Sequence, residues 1–153
     1  MLKLADPLEI PSDRTLEGFK IGSMEIYQFD CLLLKKRIPQ VTNECACGLL
    51  KISSNGINGW EECILPSCGK KFDLIQWASG FNKLKGLSVY EAMALIHNKQ
   101  EVWGQDRCEL AESALQNLIK QLQNTDTANP QKENGIVLER SFLIDQSRSY
   151  FSF

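Results

Sequence analysis

Cys45 and Cys47 stand one residue apart in "ECACG", and Cys63 and Cys68 stand four apart in "ECILPSCGKKF". Fifteen residues separate the two pairs, and a glycine follows the second cysteine of each. Zinc takes four soft ligands in a tetrahedron, with sulfur about 2.3 Å from the metal. Two tight loops facing each other supply that set compactly. Gly48 and Gly69 fit the relief of crowding where backbone N–H groups turn toward sulfur. Three readings stay open at this point. One is a structural zinc on Cys45, Cys47, Cys63 and Cys68. Another is a ribbon that has lost its metal and keeps the thiols as small core residues. The third is a reactive thiol, for which Lys70 and Lys71 are the nearby cations.

The remaining chemistry-bearing residues read as structural. Cys31 lies in an apolar run and Cys108 on an apolar helical stripe, with Cys31 the reserve ligand. The single histidine, His97, closes a helix, where its charge suits the macrodipole.

The elements that must position the cysteines follow from pattern. "FKIGSMEIYQFDCLLL" alternates, Met24, Ile26 and Gln28 against Glu25, Tyr27 and Phe29, and predicts a strand or hairpin. Asn55-Gly56 tolerates positive φ and predicts a hairpin tip between strands at about 49–53 and 59–65. That hairpin joins the two cysteine pairs. "KFDLIQWASGF" predicts a short helix ending near Gly80, with "NKLKG" a loop. Ser88 and Glu91 form a capping-box pattern ahead of Val89, Ala92, Met93 and Ile96. Cys108, Ala111, Leu115, Leu118, Ile119 and Leu122 repeat with helical spacing over 107–123. "IVLERSFLI" is a last strand or short helix, and the aromatic tail "DQSRSYFSF" is expected to dock on the body. The organisation so read is an irregular arm over 1–18, a zinc-ribbon domain with packed helices over 19–123, a linker over 124–135 and a C-terminal segment over 136–153. The fold class is α+β, a small zinc-ribbon sheet with packed helices.

Composition narrows the function classes. Apolar residues make up 43% of the 153, enough for a core, yet no run approaches the roughly 18 that a membrane span needs. "MLKLADPLEI" has acids and a proline where a secretion signal needs a continuous apolar stretch. A cytoplasmic location is the expectation, and reduced thiols with it. The net charge of −2 argues against a globally basic nucleic-acid binder, although residues 31–88 alone carry +4.

A cysteine pair, a hairpin, Trp60 before a second pair, then "CGKKFDLIQWASG" and "KGLSVYEAMALIH" follow in order. That order resembles the zinc-binding (CHC2-type zinc-ribbon) domain of bacterial and phage DNA primases. The resemblance covers about 43–98. It implies that Cys45, Cys47, Cys63 and Cys68 hold the metal, Cys47 in place of a histidine, and that the module recognises single-stranded DNA. The family spaces each pair by two residues, and its polymerase core does not follow here.

Two function classes are carried forward, and neither takes a small-molecule substrate. In the first, a non-catalytic zinc ribbon binds single-stranded nucleic acid, with Lys51, Lys70, Lys71, Lys83 and Lys85 on phosphates and Trp60 stacking on bases. Trp77 is the other candidate aromatic, with core packing its expected role. In the second, the ribbon is a scaffold for an adaptor or inhibitor that binds another protein. An enzyme is not expected, since no phosphate loop, paired carboxylates or histidine–nucleophile arrangement stands out.

Overall fold

The alternating run folds as a single strand, β1 (Ser23–Asp30), and the cysteine-flanked run as a hairpin of β2 (Ala46–Ser54) and β3 (Ile57–Leu65). The computed structural model describes residues 18–30, 46–65, 72–126 and 140–153. Asn55 and Gly56 take φ of 56° and 79°, as a two-residue turn that follows the strand twist requires. Both strands are longer than the sequence indicated: β2 runs back to Ala46, paired with Leu65, and β3 starts at Ile57, paired with Ser54.

Asp73 caps α1 (Leu74–Ala78) by accepting from Gln76 N at 3.1 Å, and the helix tightens into a 3₁₀ turn over Ser79–Leu84. The capping box forms at α2 (Val89–Asn98), Glu91 N donating to Ser88 Oγ at 3.1 Å and Ser88 N to Glu91 Oε1 at 3.0 Å. A short α3 (Gln100–Trp103) leads into α4 (Gln105–Asp126). All six of the periodic residues predicted for that helix are buried. The described part of the last run is helical, α5 (Arg140–Gln146), and the aromatic tail docks as β4 (Ser149–Ser152).

The sheet is antiparallel in the order β3-β2-β1-β4, with helices on both faces, so the architecture is α+β. One face sends Met24, Ile26, Leu50 and Ile52 into the main core beneath α4. Closest approach falls at Gly59, where an added Cβ would lie 2.4 Å from Ala114 O and 2.5 Å from Leu118 N. Asn117 Oδ1 on α4 also accepts from Trp60 N at 3.0 Å, which satisfies a donor of β3 at the sheet edge. The other face carries a second cluster, Tyr27, Leu49 and Leu143, covered by α5. Both faces of β1 are therefore buried, which explains the mixture of residue types on its two sides. Among the described residues, no helix is long and apolar enough to cross a membrane.

Candidate functional site

Cys47 and Cys63 lie inside strands rather than in turns. The register pairs Gly48 with Cys63 and Cys47 with Ile64. Successive residues of a strand alternate faces, so the two thiols leave adjacent strands on opposite sides of the sheet. Cys63 packs against the main core. Burial, with Cys47 close by, pushes its thiol up to about 12. Cys47 is buried, and its Sγ donates to Gly48 O at 3.6 Å. Gly48 serves packing between strands: a Cβ there would meet Leu65 Cδ2 at 2.9 Å and Cys63 Sγ at 3.1 Å. An ion shared by Cys47 and Cys63 would need this end of the ladder to shift by a residue. Cys45 and Cys68, which complete the expected set, lie outside the described residues, as does Cys31. Among the described residues, no group of three or more histidine, cysteine or acidic side chains could hold a metal.

The other two thiol and imidazole candidates sit where the sequence put them. Cys108 is buried on α4 and donates to Ile96 O at 3.6 Å. His97 occupies the last turn of α2, with Nε2 3.7 Å from Glu112 Oε2.

Of the residues expected to meet nucleic acid, Lys51 and Trp60 are cross-strand partners on the α5 face. Lys51 Nζ lies 5.6 Å from the Trp60 ring centroid and 3.2 Å from Glu25 Oε1, so its charge is directed inward. Trp60 is half-buried against the Tyr27–Leu49–Leu143 cluster. Lys83 and Lys85 are exposed at the end of the 3₁₀ turn. Backbone bonds from Gly86 N to Ile21 O and from Ile21 N to Leu87 O, both 2.8 Å, fix that segment beside the start of β1. Exposed Lys20 bridges to Ser88 there, so three lysines gather at one edge. Lys70 and Lys71 lie outside the described residues. Trp77 packs between Phe72 and Phe81, at centroid distances of 6.0 Å each, with the Arg107 guanidinium 5.8 Å from its ring.

The arrangement that sequence reasoning missed centres on Glu25. Its carboxylate is buried and accepts from Tyr27 Oη, Arg140 Nε, Lys51 Nζ at 3.2 Å and Ser152 Oγ at 3.1 Å. Burial alone would raise its pKa. The bonds from Tyr27 and Arg140, with the Lys51 charge, outweigh it and hold the group at about 2. The Tyr27 phenol is pushed up, by burial and by donating to that carboxylate. The available signal was an acid inside a strand whose neighbours are buried. Its two cationic partners are 26 and 115 residues away in sequence, beyond any local pattern.

Scans against protein-family models, curated proteins and solved structures found no match.

Proposed function

We propose that this chain is a non-catalytic protein-binding module, an adaptor or inhibitor whose sheet presents an apolar surface to a partner. The observation that carries this reading is the exposure of Ile64 (51%), Phe142 (56%) and Tyr150 (42%). Ile64 and Tyr150 share the sheet face on which α5 lies, and Phe142 is on α5 itself. Ile64 and Tyr150 stand on the two outer strands of that face, β3 and β4, and apolar side chains exposed on one face of a small domain favour a protein surface over water. The commitment of Lys51 and Trp60 to Glu25 and the second cluster supports the same choice. The test uses the full chain as bait in nuclease-treated extract. A protein retained by the parent chain and lost with Ile64→Glu is the expected outcome. A retained set unchanged by that substitution defeats the reading.

A zinc-ribbon module for single-stranded DNA is the second reading, favoured by the exposed Lys20, Lys83 and Lys85 at one edge. It carries with it a zinc on Cys45, Cys47, Cys63 and Cys68. It requires oligonucleotide binding that weakens steeply with salt and with Lys83→Glu. It also requires about one equivalent of metal in the native protein, lost in Cys45→Ser or Cys68→Ser. Absence of both defeats it.

A further inference from the structure

The junction of α3 and α4 faces α1 across an open cavity of about 240 Å³, lined by Trp77, Trp103, Gly104, Gln105, Asp106 and Arg107. Arg107 is half-buried and built into the wall. Its Nε donates to Trp103 O at 2.7 Å and its Nη1 to Trp77 O at 3.0 Å, with the guanidinium carbon 5.8 Å from the Trp77 ring centroid. These contacts fix the side chain and use two of its five N–H donors. Both acceptors are neutral carbonyls. Among the described residues, no acid lies within ion-pair distance of the guanidinium, so its charge and its other three donors are uncommitted. The walls beside it are aromatic and held in place. Trp103 is buried and meets Phe81 edge-on at 5.3 Å, and half-buried Trp77 meets the other side of the same ring system at 6.0 Å.

We propose that this cavity binds a small monocarboxylate with a flat apolar body, held and not turned over. The carboxylate takes parallel N–H bonds from the Arg107 fork, and the body lies against Trp77 and Trp103. Two carbonyls already fix the guanidinium, so little ordering entropy is lost there on binding. Size restricts the class: the volume lies below the roughly 300 Å³ at which pockets for drug-sized ligands begin. Charge restricts it further. Asp106 lines the same cavity, Glu109 is held one turn away by a 2.8 Å bond from Gln105 Nε2, and no lysine is among the described lining residues. A phosphate dianion would meet those carboxylates with one arginine to offset them, whereas a single carboxylate matches the single guanidinium. Both tryptophans pack on the main core, and neither belongs to the α5 face that carries Ile64.

Benzoate is the probe, with benzamide as its neutral counterpart and phenyl phosphate as a dianion, each titrated into the full parent chain. The three tryptophans give three indole N–H signals in nitrogen–proton spectra, and Trp60, on the α5 face, is the internal control. Benzoate is expected to shift the Trp77 and Trp103 signals and not that of Trp60, with a dissociation constant on the order of a millimolar, as suits so few atoms. Benzamide should bind at least about tenfold more weakly, because it offers no charge to the fork. Phenyl phosphate should bind no tighter than benzoate. Arg107→Gln should weaken benzoate by at least about tenfold. If that variant does not fold, the comparison of benzoate with benzamide in the parent decides alone. Indole signals that stay in place under benzoate overturn the site, as does a shift of all three together, which marks general adsorption. Equal affinity for benzamide, or for benzoate after Arg107→Gln, overturns recognition through Arg107, and tighter binding of phenyl phosphate overturns the carboxylate class. Ile64→Glu touches none of these residues, so the capture experiment and this titration fail independently.

Discussion

Glu25 shows how one side chain can set an energetic boundary condition for a whole segment. An isolated buried carboxylate would take up a proton. This one keeps its charge because two cations and two hydroxyls reach it. Its folded pKa lies below the ordinary 4.5, so the folded state binds fewer protons than the unfolded one over that interval. The stabilisation it contributes is therefore complete above about pH 4.5 and is lost as the pH falls toward 2. Glu25→Gln should lower stability at pH 7 by about 2 kcal/mol in urea titrations. The difference between parent and variant should shrink across the same pH window. A constant difference from pH 7 to 3 would contradict the assignment. Glu61, raised by burial and by Glu62, acts with the opposite sign in both proteins and cancels in the comparison.

At the scale of elements, the decisive contact is the seating of α4 on the hairpin. The sequence marks the helix by its apolar period and the hairpin by Asn55-Gly56, but nothing local says which crosses which. Gly59 answers that, because only a residue without a Cβ lets the backbone at Ala114 and Leu118 come so near. Gly59→Ala is expected to destabilise by about 3 kcal/mol, since rigid backbone rather than a side chain must move. Gly22→Ala is the control. Its Cβ would meet only Ser53 O, at 3.9 Å, and stability should change by less than about 0.5 kcal/mol. Thermal melts of both variants decide the point, and equal effects would mean that the helix is not seated there. The capping box and the α4 stripe were legible because their signals span three or four residues. The extension of β2 through Cys47 was not, since a cysteine beside glycine reads as readily as a turn.

For the molecule as a whole, the two sheet faces are closed by different parts of the chain. The main core is sealed chiefly by residues 72–126, with Phe151 and Phe153 of the tail packed against it, and the second by α5. Leu143, 3% exposed, is the apolar anchor of the latter. Leu143→Ala should cost about 3 kcal/mol. It should also raise amide exchange in β1 and β4 well before it does so in α4. Uniform loss of protection would mean that the two faces unfold as one unit.

The sequence by itself determined the class of fold and most of its local signals: the positive-φ turn, the capped α2 and the buried stripe of α4. Each is a property of near neighbours, governed by backbone sterics, capping hydrogen bonds or side-chain period. Tertiary structure alone decided that Lys51 turns inward and that Glu25 binds Arg140. These outcomes depend on strand register and on meetings between residues far apart in the chain. A one-residue change of register reverses every side chain; the two-residue turn at Asn55-Gly56 sets it within the hairpin, whereas the pairing of β1 with β2 and β4 joins segments far apart in the chain.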